Sequence, residues 1–154
     1  MGQQLSTKAA NTLWQRLNQH TPITAQALQQ QPLTTLQSLG LSQRKSQYIH
    51  AVCQYFLHNN ITSAHYFEQK SDTEIINELT SLYGIGKWSA QMFLIFTLAR
   101  PNILPSADLG LQRALSQNYQ HERLTPSQIE KRYIPLFSPW CSVATWYLWQ
   151  SLNE

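Results

Sequence analysis

Two stretches carry the residues of this chain best suited to chemistry: Leu82-Tyr83-Gly84-Ile85-Gly86-Lys87-Trp88-Ser89-Ala90, and Pro105-Ser106-Ala107-Asp108-Leu109-Gly110-Leu111, with Asp108 following Trp88 by 20 positions. In the first, two glycines one residue apart permit a tight turn with positive φ and leave backbone N–H groups bare at the start of the following helix. Such a turn can hold a phosphate, and Lys87 adds a charge-assisted contact. An interhelical turn with a glycine cap has the same signature. In the second stretch, Asp108 is one of only two aspartates and the only carboxylate between Glu78 and Glu122. An aspartate in a first helical turn is commonly a dipole-matched N-terminal residue. The two features gain meaning from occurring together.

The segments that must position these residues read as helices. Residues 6 to 19 put Ala9, Ala10, Leu13, Trp14 and Leu17 on one face, Pro22 interrupts, and Thr24 caps a short helix over 25–29. Pro32 opens another, which Gly40 closes. From Ser42, an apolar stripe of Tyr48, Ile49, Val52, Cys53 and Phe56 follows. Arg44 and Lys45 sit in that helix's first turn, where the dipole favours acids and where a phosphate would be welcome. Ser71-Asp72-Thr73-Glu74 and Thr125-Pro126-Ser127-Gln128 read as capping boxes that start two further helices. One helical pattern ends near Ser81 and the next runs to Ala99. No strand pair, repeat or low-complexity linker is legible, so the expected fold class is all-α.

Composition narrows the rest. The chain has 154 residues, of which 42% are hydrophobic and 12% charged, so it should fold as one domain or two small lobes sharing a cleft. Its best apolar run, Met92 to Ala99, is far short of the roughly 20 residues that span a bilayer, and no leader is evident at Met1. Cys53 and Cys141 are too few and too far apart for a disulfide framework or a metal cluster, which favours a reducing compartment. A formal charge of +3 is compatible with a nucleic-acid partner without requiring one.

Five ordered blocks together resemble the helix-hairpin-helix DNA glycosylase superfamily, in its 3-methyladenine DNA glycosylase II (AlkA-like) branch. They are Gln3-Gln4-Leu5-Ser6 with Lys8-Ala9-Ala10; Gly40-Leu41-Ser42 with Arg44-Lys45 and Tyr48-Ile49; the hairpin from Leu79 to Ala90; Pro105-x-x-Asp108-Leu109-Gly110-Leu111; and Pro139-Trp140-x-Ser142-x-Ala144-x-Trp146-Tyr147-Leu148-Trp149. The resemblance implies two helical lobes flanking a cleft and an enzyme of base excision repair acting on double-stranded DNA. Such an enzyme extrudes its target nucleotide and hydrolyses the glycosidic bond of alkylated purines of the 3-methyladenine and 7-methylguanine type. The alternative is a catalytically silent, DNA-binding remnant of that fold.

Residue by residue, Asp108 matches the family's catalytic aspartate, while Asp72 lies inside a capping box. A carboxylate near the anomeric carbon stabilises an oxocarbenium-like transition state and can orient the attacking water. Trp149 matches the pocket tryptophan and Trp88 the aromatic after the hairpin. Electron-rich rings favour a cationic purine by cation–π attraction of about 1 kcal/mol or more. Met92 stands one turn after Trp88, where the family is often aromatic, and Tyr83 completes the expected pocket. Trp140, Trp146 and Phe93 are weaker candidates, read as core. Gly84, Ile85, Gly86, Lys87 and Ser89 are the expected phosphate contacts, and Gln3 or Gln4 the plug that fills the emptied duplex. In bifunctional relatives such as endonuclease III the position of Trp88 is a lysine that forms a Schiff base, so the resemblance implies base release without strand cleavage. It implies no cofactor and no metal, while leaving room for a monovalent cation at the hairpin.

The expected organisation is a helical lobe over residues 1–100 that contains the hairpin, and a partial second lobe over 101–154 that carries the aspartate loop and the Trp-rich helix, with the Pro-rich link Arg100 to Pro105 between them. Relatives carry further sequence ahead of the first block, so an N-terminally short version of the fold is expected, with apolar faces of 107–115 and 140–149 exposed. The expected location is cytoplasmic and nucleoid-associated in a bacterium, nuclear in a eukaryote.

Overall fold

The computed structural model of the protein describes residues 7–152 and, within them, the side chains from residue 9 onward. The described residues form α1 (Thr7–His20), α2 (Ala25–Gln29), α3 (Leu33–Ser38), α4 (Gln43–His58), a 3₁₀ turn (Ala64–Phe67), α5 (Asp72–Thr80), α6 (Lys87–Phe96), α7 (Leu109–Asn118), α8 (Pro126–Phe137) and α9 (Cys141–Gln150), with no strand among them. They gather into two compact units, one of the described residues up to 66 with 77–85, the other of residues 67–76 with those from 86 onward.

In the first unit, Leu17, Leu28, Leu36, Leu41 and Cys53 form the core, with Ile23, Leu39 and Ile49 packed against it. The local signals act as the sequence suggests. The Thr24 hydroxyl accepts from Ala27 N–H and caps α2, and Ser42 does the same for α4 through Lys45 N–H. Gly40 takes φ +105° after α3, and a Cβ there would stand 2.7 Å from Leu13 Cδ2.

In the second unit, Leu104, Leu111, Ala114, Leu115, Ile129, Tyr133, Cys141 and Leu148 make the core. Both capping boxes form: Ser71 N–H donates to Glu74 Oε2 at 2.7 Å, and Thr125 and Gln128 cap reciprocally at the start of α8. Helix α6 stops at Phe96, three residues short of the expected end, because the backbone turns. Ala99 adopts φ +50°, and Arg100 N–H reaches back to Leu94 O at 2.9 Å. That turn lets the Arg100 guanidinium donate to the carbonyls of Phe67, Glu68 and Lys70 at 3.3, 3.3 and 3.0 Å.

The Pro-rich link from Arg100 to Pro105 lies inside the second unit and is strapped down by buried polar side chains. Ser142 Oγ donates to Arg100 O at 2.6 Å and accepts from Ile103 N–H at 3.0 Å. Gln91 Nε2 donates to Leu104 O at 3.4 Å and Gln112 Nε2 to Ser106 O at 2.9 Å. A buried polar group is retained at little cost when its hydrogen bonds are made. Here those bonds fix the backbone that delivers Asp108.

Helix α9 buries Cys141, Ser142, Thr145 and Leu148 and leaves Val143, Trp146 and Tyr147 exposed, as is Trp140 before it. On α7 only Leu109 is an exposed large apolar residue; Leu111, Ala114 and Leu115 are buried, contrary to the expectation of an open apolar face there.

Candidate active site

Asp108 is the N-cap of α7, with φ −70° and ψ 124°, and its Oδ1 accepts from Leu111 N–H at 2.7 Å. Capping needs no more than that: Thr24, Ser42 and Thr125 achieve it in this chain with a hydroxyl. Asp108 accepts two further hydrogen bonds. Trp149 Nε1–H donates to Oδ1 at 2.8 Å, and Trp88 Nε1–H donates to Oδ2 at 2.8 Å. A carboxylate offers about four acceptor positions. Two on Oδ1 and one on Oδ2 are taken, so Oδ2 retains one for a substrate or a water.

The three donors come from α6, α7 and α9, all in the second unit. Trp88 lies in the first turn of α6, and Met92 and Phe96 follow at four-residue spacing on the same helix face. Phe96 stacks on the Trp149 indole with ring centroids 6.0 Å apart and planes 17° apart, and is itself 63% exposed. Gly110 is what permits the close approach of α7 to Trp149. A Cβ there would stand 3.1 Å from Asp108 Oδ1 and 3.3 Å from Trp149 Cδ1. The result is a half-buried carboxylate bracketed by two indoles, with an exposed parallel ring beside one of them.

The start of α6 supplies the anion-binding feature. No side chain caps it, Gly86 stands at the N-cap with open space where a Cβ would be, and the positive end of the dipole is presented with the opening N–H groups of the helix. Ser89 is half-buried in this first turn. Lys87 forms an ion pair with Glu130 at 3.7 Å; both side chains are exposed, so the pair is worth about 1 kcal/mol or less and yields readily to a stronger anion.

The remaining hairpin residues belong to the first unit. Gly84 has φ +91°, and a Cβ there would overlap the Tyr48 ring, 2.1 Å from its Cγ. Tyr83 packs edge-on against the same ring at 4.9 Å, and Ile85 N–H closes the turn on Leu82 O at 3.1 Å. Among the described residues, no three His, Cys, Asp or Glu side chains converge as metal ligands. Burial pushes both thiols, Cys53 and Cys141, above the ordinary range, which disfavours a nucleophilic role.

Gln3 and Gln4 lie outside the described residues. Of the weaker candidates, Phe93 is packing, edge-on against Phe67 at 5.0 Å. Trp140 and Trp146 are not core: they are 60% and 46% exposed. Phe96 joins the site through packing alone: it lies in an apolar run that reads as core, yet it is exposed and stacks on Trp149.

The model of the HhH-GPD superfamily of base excision DNA repair proteins matches residues 1–139. The chain belongs to that superfamily. Among curated relatives, DNA-3-methyladenine glycosylase 1 of Schizosaccharomyces pombe is 27% identical over 97% of this chain and 67% of its own length. The alkylbase DNA glycosidase-like protein mag2 of the same yeast is 30% identical over 96% and 72%. Two solved structures share the all-helical glycosylase fold. The S. pombe 3-methyladenine DNA glycosylase Mag1, in complex with abasic DNA, superposes with a TM-score of 0.90 at 26% identity, covering 99% of this chain and 76% of its own. A DNA-3-methyladenine glycosidase from Bacillus halodurans does so with a TM-score of 0.83 at 30% identity, covering 99% and 71%. Within this superfamily member, the Trp88–Asp108–Trp149 cluster unites the hairpin helix, the aspartate loop and the last helix.

Proposed function

We propose that this protein is a monofunctional DNA N-glycosylase that removes alkylated purines of the 3-methyladenine and 7-methylguanine type from duplex DNA. The observation that carries the reading is the Asp108 carboxylate, held on both oxygens by the Trp88 and Trp149 indoles. N-Alkylation gives the purine a formal positive charge and weakens its bond to the sugar. As the C1′–N bond breaks, its electron pair goes to the base, which leaves neutral, and positive charge develops on the sugar. Asp108 stabilises that charge through its open Oδ2 position and orients the water, whose oxygen bonds to C1′ while one of its protons passes to the carboxylate and on to solvent. Trp149, Phe96 and Met92 offer the extruded cationic base a soft, ring-lined wall. The uncapped start of α6, with Lys87, grips a phosphate.

Trp88 has no amine, so it cannot form a Schiff base, and the product is an abasic site with an intact strand. The names of the relatives and the abasic DNA bound in the Mag1 structure support both substrate and product class. The test is single-turnover release of methylated base from alkylated duplex. Release by the wild type, its loss in Asp108→Asn with duplex binding retained, and no strand cleavage or borohydride-trapped complex are expected. Binding without release by the wild type would leave only a DNA-binding remnant.

A further inference from the structure

A cavity of about 560 Å³ opens along α7 and includes Leu109, Gly110, Gln112, Arg113 and Arg123 in its wall. It begins at the two residues that follow Asp108. Gly110 belongs to both places, since its Cβ position faces Asp108 Oδ1 and the Trp149 ring. The cavity is cationic. Among the described residues, neither Arg113 nor Arg123 pairs with a carboxylate. Arg123 is also held in place: its Nε–H donates at 2.8 Å to Oε1 of Gln112, a side chain 94% buried, whose amide nitrogen is anchored on Ser106 O at 2.9 Å. The burial of an amide is offset by such bonds, and Thr21, Ser46 and Ser142 are buried here as smaller polar groups. An amide spent on orienting a guanidinium edge leaves the terminal N–H donors of Arg123 aimed as a fork, the geometry that matches a phosphate.

We infer that this recess binds a backbone phosphate of the DNA strand, with Arg113 and Arg123 as its contacts and Gln112 as the residue that positions Arg123. The inference rests on the reading of Asp108 as the catalytic carboxylate of a DNA glycosylase and names a second point of grip on the same strand. On this inference, a nucleotide extruded toward Asp108 carries a neighbouring phosphate onto α7, along which the recess runs from Leu109 to Gln117 and Arg123. The ligand is a phosphodiester rather than a base, because two charged forks supply affinity and register without sequence readout.

The experiment uses the full chain and a duplex containing a stable abasic-site analogue, with binding measured from about 50 to about 200 mM salt. Each phosphate contact contributes about 0.9 to the slope of log affinity against log salt. Arg113→Gln and Arg123→Gln should each reduce the slope, and the double variant should reduce it by about 0.9, so that its loss of affinity across this salt range shrinks roughly 3.5-fold. Both side chains are exposed; because Arg123→Gln also removes the partner of the buried Gln112 oxygen, thermal melts accompany the titrations, and Arg113→Gln, which breaks no such bond, carries the test if Arg123→Gln melts low. Slopes equal to wild type in both variants overturn the inference, whether or not the wild type releases base. A reduced slope in a protein that releases no base upholds the phosphate site and rejects the catalytic reading. Absence of any duplex binding by the wild type rejects both.

Discussion

Trp88 donates its indole N–H to Asp108 Oδ2 at 2.8 Å, across 20 residues of chain that include the strapped Pro-rich link. This makes Trp88 a positioning residue as well as a ring beside the hairpin, and the two roles separate experimentally. Trp88→Phe keeps an aromatic face and removes the N–H. A wall would tolerate the change. A positioning donor would not: losing a hydrogen bond to a charged group, worth about 1.5 kcal/mol at the low end, corresponds to roughly tenfold in rate. The expected result is a roughly tenfold slower single-turnover base release with unchanged affinity for abasic duplex. Equal rates would reduce Trp88 to packing.

Gly110 sets a test in which stability and activity move apart. Gly110 is the second residue of α7, where alanine's advantage as a helix former is smaller than the about 1 kcal/mol of a helix interior and is set against the crowding, so Gly110→Ala should change thermal stability by about 1 kcal/mol or less. The added methyl, however, would sit 3.1 Å from Asp108 Oδ1 and 3.3 Å from Trp149 Cδ1. Trp149 is backed by Phe96 and cannot retreat without losing that stack. The Asp108–Trp149 bond should lengthen, and base release should fall by about tenfold or more. A variant as active as wild type and equally stable would show that the contact has slack.

Much of this site was legible beforehand because it is written in local chemistry. The caps at Thr24, Ser71 and Thr125 are side-chain signals read within four residues, and each formed. The family resemblance named Asp108 as the carboxylate and Trp88 and Trp149 as rings of the pocket, but not that both indoles donate to the carboxylate, since no periodicity links residues 20 and 41 positions apart. Two features escaped. Phe96 sits where an apolar pattern predicts core, and only tertiary packing makes it an exposed partner of Trp149. The Gln112–Arg123 bond joins a helix to the loop after it, and the burial of one glutamine among 19 in the chain leaves no mark in the sequence.

Gly84 tests the hairpin through stability. Its φ of +91° disfavours any L side chain, and a Cβ would overlap the Tyr48 ring at 2.1 Å. Two separable penalties follow, one of backbone and one of overlap. Gly84→Ala should cost about 3 kcal/mol or more in urea unfolding, since overpacking alone typically costs about 1–3 kcal/mol. Tyr48→Ala removes the overlap but not the conformational penalty. The double variant should therefore be less destabilised than the sum of the singles by about 1 kcal/mol or more. Simple additivity would mean that Tyr48 swings aside and that only the backbone matters.

Glu74 gives the chain an acid-sensitive contact at the start of α5. The hydroxyl and backbone N–H of Ser71 both donate to its carboxylate and hold it below its ordinary value of 4.5. A depressed folded-state value stabilises the fold when the group is ionised in both states, so the contribution is complete above about pH 4.5 and drains away as pH falls through the folded value. Glu74→Gln keeps a hydrogen-bond acceptor and removes the titration. Urea midpoints should therefore differ between wild type and Glu74→Gln at pH 7, with wild type the more stable, and converge as the solution is acidified below that range. A difference that stays constant with pH would assign the capping box's stability to hydrogen-bond geometry alone.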